Sequence, residues 1–242
     1  MRILIISDIH ANLAALEAVL EDAGHFDSAW CLGDLVGYGP DPNECVQRIS
    51  SLPGLQCIVG NHDAAALRTI DAEAFNPEAR QAIYWTQTTL TEASLSFLKQ
   101  LPEVLKIQDV TLAHGSPRHP VWEYILDTQT AGLSFPHFDT PFCFVGHSHM
   151  PVIFNLIHDN GRAKMSVPEI RKQLTLSGRA ILNPGSVGQP RDRDPRAAYA
   201  LFDPEVPAWE YRRVPYDIAS VQSRMAAARL PLRHIERLSS GW

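Results

Sequence analysis

Residues 3–10 read ILIISDIH: four apolar β-branched or leucyl side chains, a serine, then Asp8 and His10. A short apolar run bounded by polar residues is the pattern of a buried strand. The same arrangement returns four times. AWCLG ends in Asp34, CIVG in Asn61-His62-Asp63, VTLA in His114-Gly115, and FCFVG in His147-Ser148-His149. In an α/β sheet the carboxyl ends of parallel strands share one edge, where ligands bind, so these polar residues are expected to converge. Gly33, Gly60 and Gly146 stand just before the polar residue in three of the five runs, as a sharp turn or a close backbone approach requires.

Outward from these runs, the first half alternates strands at 3–6, 29–32 and 55–59 with helical stretches, the βαβ pattern of a parallel sheet. Asn12 is a good N-cap for a helix that places Leu13, Leu16, Val19 and Leu20 on one face. A second helix is expected over 43–51. Residues 72–101 read as a helical insertion, with Pro77 near a helix start and Thr89-x-x-Glu92 as a capping box. The second half is strand-rich, at 104–107, 110–113, 142–145, 152–157, 179–182, 197–202 and 208–214, with Asp159-Asn160-Gly161 as a hairpin turn. These strands are expected to form a second, mainly antiparallel or mixed sheet. A helix over 217–229 is expected to close the chain, and with no linker in sight residues 1–242 are expected to form one domain.

The composition is that of a globular protein: 242 residues, 45% hydrophobic, 14 Gly and 18 Pro without repeats. Disordered, collagen-like and coiled-coil classes are set aside. A net charge of −6 argues against a broad nucleic-acid surface. The apolar start is far too short for a signal peptide or a membrane span. Cys31, Cys45, Cys57 and Cys143 show no C-x-x-C spacing and read as free thiols, so the cytoplasm is the expected location. What composition leaves open is the purpose of ten histidines in this chain.

The polar residues at the strand ends supply an answer. Asp8, His10, Asp34, Asn61, His114, His147 and His149 offer carboxylates, an amide oxygen and imidazoles without a thiolate, a donor set for hard or borderline divalent ions. Seven ligands exceed one tetrahedral zinc and suit two ions sharing a carboxylate. Two such ions roughly 3.5–4 Å apart clamp a phosphoryl group and turn a bridging water into a nucleophilic hydroxide. Each residue alone has an ordinary use: Asp8 as a cap, Asn61 as a turn former, His114 as a satisfied core histidine. The joint pattern is what points to one site.

In order and spacing, Asp8-x-His10, Gly33-Asp34, Gly60-Asn61-His62-Asp63, His114-Gly115 and Gly146-His147-x-His149 resemble the calcineurin-like metallophosphoesterases. Asn183-Pro184-Gly185-Ser186 is similar to a late element of small prokaryotic members, a branch of phosphodiesterases and diadenosine-tetraphosphatase-like proteins. The resemblance implies an α/β fold, a four-layer αββα sandwich with two mixed sheets. It also implies that Asp8, His10, Asp34 and His149 hold one metal and Asp34, Asn61, His114 and His147 the other. Mn²⁺ or Fe²⁺ are foremost, with Zn²⁺, Ni²⁺ and Mg²⁺ as alternatives. His62 would be the catalytic residue that protonates the leaving alkoxide or stabilises charge in the transition state.

The chain departs from the phosphoprotein-phosphatase branch at Gly37 and Tyr38, where that branch has the Asp that orients its histidine and a phosphate-binding Arg. Asp63 or a backbone carbonyl is then the candidate to orient His62. Arg118 and Arg191, in loops near the motifs, are the candidate substrate contacts, since Arg suits bidentate phosphate binding. Arg80, Tyr84 and Trp85 of the insertion are weaker candidates for covering the site. The expected activity is in-line hydrolysis of small phosphodiesters, nucleotides among them, with a phosphomonoesterase as the alternative and a non-catalytic scaffold of the same fold behind it. No membrane partner is expected, and assembly is left open.

Overall fold

The computed structural model describes residues 1–158 and 161–242. In chain order, β1 (Ile3–Ile6), α1 (Leu13–Ala23), β2 (Ser28–Cys31), α2 (Pro42–Ser50) and β3 (Gln56–Cys57) form a βαβαβ unit. Then come α3 (Asn61–Ala66), α4 (Pro77–Thr89), α5 (Glu92–Leu98), β4 (Val104–Ile107), β5 (Val110–Ala113), α6 (Thr128–Ser134), β6 (Phe142–Phe144) and β7 (Pro151–His158). The chain continues through β8 (Arg162–Ser166), β9 (Gln173–Thr175), β10 (Ala180–Pro184), β11 (Ala197–Asp203), β12 (Ala208–Val214), α7 (Ile218–Ala227) and α8 (Leu232–Ser240). Two six-stranded mixed sheets result, ordered β3-β2-β1-β11-β12-β9 and β4-β5-β6-β10-β7-β8.

The layers follow from the period of two along a strand. Ile3 and Ile5 turn inward to a cluster with Trp30, Leu32, Phe144, Phe202 and Trp209 that fills the space between the sheets. Leu4 and Ile6 turn outward to meet Leu16, Val19 and Leu20 of α1 and Ile49 of α2. On the second sheet Phe142 and Phe144 face inward, while Cys143 and Val145 pack outward against Ala131, Phe135 and Phe138. Both sheets are thus covered twice, giving the four-layer αββα order. Each fully buried Leu, Ile or Phe contributes about 1.5–3 kcal/mol, so the sheets are fixed by core rather than by their edges.

Asn12 caps α1 as expected, its side-chain oxygen accepting from Ala15 N at 3.1 Å. Several other expectations are corrected. The strands of the second half do not all join the second sheet: β11 pairs antiparallel with β1, and β12 and β9 follow it in the first sheet. The insertion is not helical throughout. Its second break is capped by Thr91, which accepts from Ser94 N at 3.3 Å, because Thr89 is still inside α4. A further helix, α8, closes the chain after Pro231, and Gly241 ends it in a left-handed cap. The turn expected at Asn160 falls on residues 159 and 160, outside the described residues. All four cysteines are buried free thiols, and no helix among the described residues is long and apolar enough to cross a membrane.

Candidate metal centre

β1, β2 and β3 run parallel, as do β5 and β6 in the facing sheet. Their carboxyl ends therefore bring the polar residues to one edge. Asp8 and His10 follow β1, Asp34 follows β2, Asn61 opens α3 just past β3, His114 follows β5, and His147 and His149 follow β6. Five of these seven have positive φ: Asp8 (52°), His10 (48°), Asp34 (54°), His147 (63°) and His149 (59°). Non-glycine residues rarely adopt that region, and it collects at functional sites. Hydrogen bonds hold them there: Asp8 N donates to Gly33 O at 3.0 Å, His10 N to Asp34 O at 2.9 Å, and Gly188 N to Asp8 O at 2.9 Å.

Two groups that could hold a metal ion form, Asp8, His10 and His149 in one and Asp34, His114 and His147 in the other. Backbone carbonyls fix the tautomers. His10 Nδ1 donates to Val36 O at 3.2 Å, His114 Nδ1 to Leu32 O at 2.7 Å and His149 Nδ1 to Gln189 O at 2.6 Å, so each turns Nε2 to the centre. His147 is reversed: Nε2 donates to Trp122 O at 3.1 Å, which leaves Nδ1 as its ligand atom. Asp34 lies between the groups. Its Oδ1 accepts from His62 N at 2.9 Å, and its Oδ2 is buried with no hydrogen-bond partner among the described residues, 3.6 Å from His10 Nε2 and 3.4 Å from His114 Nε2. Asn61 Oδ1 stands 3.1 Å from His114 Nε2. An orphaned carboxylate oxygen facing imidazole nitrogens from both groups fits a carboxylate shared by two divalent ions.

The electrostatics agree. Burial pushes His10 well below its usual range, lowers His149, and takes His147 down to about 3, leaving them neutral as ligands must be. Burial opposes charge on His114 too, yet the Asp34 carboxylate raises it to about 10, so without metal a proton supplies positive charge there. Burial also works against ionising Asp8 and Asp34. Nevertheless the charged His114 beside Asp34 holds that carboxyl far below its usual range, and the same charge lowers Asp8.

His62 adjoins the centre, its ring 5.0 Å from that of His10, 4.3 Å from Tyr38 and 5.0 Å from Phe75. Neither expected orienting group is used. Asp63 is occupied elsewhere, Oδ1 accepting from Val36 N and Oδ2 from Gly60 N, both at 3.0 Å, and His62 Nδ1 has no hydrogen-bond partner among the described residues. Aromatic packing and the backbone bond to Asp34 place this ring instead. Gly37 is required for it, since a Cβ there would come 2.7 Å from His62 Nδ1. Gly60 is likewise fixed by close approach: its Cβ would lie 2.1 Å from Asp34 Oδ1.

Of the two arginines, the structure brings only Arg191 to the centre. Its Nη2 donates to Tyr38 OH at 3.3 Å and to Gln189 Oε1 at 3.2 Å. Arg118 is tied to Glu123, its Nε donating at 3.0 Å, and the cavity it lines is bounded by Gly132, Phe135 and Arg179, away from the ligands. Arg80 and Tyr84 are spent on Glu73. The cover over the centre comes from residues with no spacing signal. Tyr124 stacks on His147 at 3.7 Å, Trp122 meets Phe75 at 5.1 Å, and Tyr38 lies 4.5 Å from His10. Behind the ligands, Asn183 Nδ2 donates to Gly146 O at 2.6 Å and Ser186 Oγ to Asp8 O at 2.9 Å, which gives the Asn183–Ser186 stretch its use.

Comparison with known proteins gives the same picture. The family model for the calcineurin-like phosphoesterase superfamily domain matches residues 1–206. The crystal structure of a metallophosphoesterase from Sphaerobacter thermophilus is 49% identical, with a TM-score of 0.91 over 100% of this chain and 99% of that one. The Methanocaldococcus jannaschii protein MJ0912 is 39% identical over 246 residues, 99% of this chain and 98% of its own. PH1004 from Pyrococcus horikoshii is 21% identical with a TM-score of 0.81 over 100% and 98% of the two chains, a likeness of fold.

Proposed function

The chain belongs to the calcineurin-like phosphoesterase superfamily, and on that premise we propose that it is a dimetal phosphoester hydrolase acting on small phosphodiesters, nucleotides among them. The observation that carries this is the buried, unpartnered Oδ2 of Asp34 between His10 and His114. Asp8, His10, Asp34 and His149 would hold one ion and Asp34, Asn61, His114 and His147 the other, with Mn²⁺ or Fe²⁺ best suited to this oxygen- and nitrogen-only set. When bound, two such ions neutralise phosphoryl oxygens and acidify a water.

The chain's own groups do the rest. Burial lowers His62 to about 4, so at pH 7 its ring is neutral and keeps one N–H. That N–H stabilises charge on the leaving oxygen as a fixed donor, since a charged imidazolium acid would be a minor species. Arg191 supplies a guanidinium at the edge of the centre, and Tyr38, Phe75 and Tyr124 screen it from bulk water. Four buried free thiols fit a reducing compartment, and we place the protein in the cytoplasm.

Arg191 also supports a second reading, a phosphomonoesterase, because a dianionic group gains more from a guanidinium than a monoanionic diester does. Turnover of bis-p-nitrophenyl phosphate against p-nitrophenyl phosphate by the Mn²⁺-loaded protein separates them. Faster turnover of the diester is the expected result, and faster turnover of the monoester assigns the phosphatase. Hydrolysis of neither, with any divalent ion, overturns both.

A further inference from the structure

Around Tyr38 lies a group of polar side chains, of which the metal centre uses Arg191 and the carbonyl of Gln189. The Tyr38 ring is 4.5 Å from His10 and 4.4 Å from His234 of α8. His234 is 1% exposed, and among the described residues neither ring nitrogen makes a well-formed hydrogen bond, the Glu78 backbone being the acceptor that acts on it. Gln189, also 1% exposed, leaves Nε2 unpartnered. Arg191 and Arg237 each bury an Nε that finds no acceptor among the described residues. Neither guanidinium has a carboxylate within ion-pair distance among the described residues, whereas Arg233 on the same helix pairs with Glu78 at 3.8 Å.

Such a group is costly as it stands. Buried donors without acceptors forfeit the hydrogen bonds they made to water, and like charges brought together repel. Burial first, and then the charge of Arg191, pull Arg237 below its ordinary range. Burial and the same Arg237 take His234 down to about 3, the Glu78 backbone opposing. What offsets both costs at once is an anion with several acceptor oxygens. A phosphate group has that chemistry, and guanidinium forks match it.

We propose that Arg191, Arg237 and His234, with Gln189, form an anion subsite beside the metal centre that takes a second, non-reacting phosphate group of the substrate. The subsite stands on these donors alone, while its use by a substrate rests on the hydrolase reading. The Tyr38 ring packs against both His10 and His234, and Arg191 joins it through its bond to the Tyr38 hydroxyl. Preferred substrates then carry two phosphates, one hydrolysed and one held by α8. His234 and Arg237 sit three residues apart and so share one face of that helix.

Calorimetric titration with inorganic phosphate tests the subsite in protein freed of metal, where Asp8 and Asp34 repel an anion from the centre itself. Wild type binds phosphate, and Arg237→Met weakens binding by about tenfold or more, with Arg237→Lys recovering part of it. Arg233→Met, whose arginine is already paired, leaves binding unchanged. Absence of binding by wild type, or equal losses in the 233 and 237 variants, overturns the subsite. A second arm uses metal-loaded protein and the p-nitrophenyl ester of thymidine 5′-phosphate with and without a 3′-phosphate. A substrate subsite gives the doubly phosphorylated compound the higher kcat/KM, and Arg237→Met removes that preference. Equal values in wild type assign the subsite to free phosphate and overturn the substrate role. Absence of turnover on both compounds strikes the hydrolase reading and with it the substrate role, leaving the phosphate titration to judge the subsite.

Discussion

The Nε2 atoms of His10 and His149 face each other at 3.1 Å, and each ring holds its proton on the far nitrogen, against a backbone carbonyl. Two lone pairs at that distance repel unless a cation lies between or beside them. Asp8 Oδ1, 3.2 Å from His149 Nε2, and Asp34 Oδ2, 3.6 Å from His10 Nε2, complete the demand for positive charge. The pair is thus held in a geometry that only a ligated ion or an extra proton satisfies.

Asp34→Asn removes the carboxylate proposed to bridge the two ions while keeping an oxygen to accept from His62 N. Metal content by elemental analysis is expected to fall below that of wild type, and turnover by about 100-fold or more. Unchanged circular dichroism would show that the fold is intact. A variant that keeps its full metal content would place the bridge elsewhere.

Asp63→Asn tests a residue that joins the loop after β2 to the start of α3. Both carboxylate oxygens accept from backbone N–H groups, and an amide supplies only one acceptor in their place. A loss of about 1–3 kcal/mol is expected in urea unfolding. No change would mean that the Val36 and Gly60 amides find other acceptors.

Gly37→Ala places a Cβ against His62 Nδ1 on a backbone with φ of 89°. Left-handed strain costs about 1–2 kcal/mol. Displacement of His62 is expected to lower kcat by on the order of 10- to 100-fold, with metal content unchanged. Retention of full kcat would show that the position of this ring is not decisive.

His234 makes stability depend on pH. Burial depresses it from 6.5 to about 3, so between those values the unfolded chain binds the proton and the folded chain does not. Its contribution is fully present above pH 6.5 and is lost as pH falls towards 3. At pH 5 the loss amounts to about 2 kcal/mol. Chemical denaturation of wild type and His234→Asn at pH 7 and pH 5 is expected to show the smaller drop in the variant; equal drops would contradict it.

The candidate metal ligands are legible in the sequence because they stand at fixed places, just past strands whose alternation is visible in residues such as Ile3 and Leu4. The cover is invisible for the opposite reason. Tyr38, Phe75, Trp122 and Tyr124 reach the centre from three loops, and nothing in their spacing ties them to it. Strand β8 and strand β9 escape notice because most of their residues are exposed, leaving no apolar period of two. Helix α8 has only Leu232, Ile235 and Leu238 as its apolar stripe, and its role depends on packing near Tyr38. Arg118 and Arg191 look alike as loop arginines. Only the carboxylate of Glu123, five residues from the first, separates them, and the distance between side chains decides its effect.

The most direct test is a calorimetric titration of the metal-freed protein with Mn²⁺, followed by the rate of bis-p-nitrophenyl phosphate hydrolysis at each point. Two ions per chain are expected, with hydrolysis rising as the second site fills and absent in His62→Ala at full metal content. A single ion, or two ions without hydrolysis of any phosphoester, would contradict a dimetal hydrolase built on Asp34.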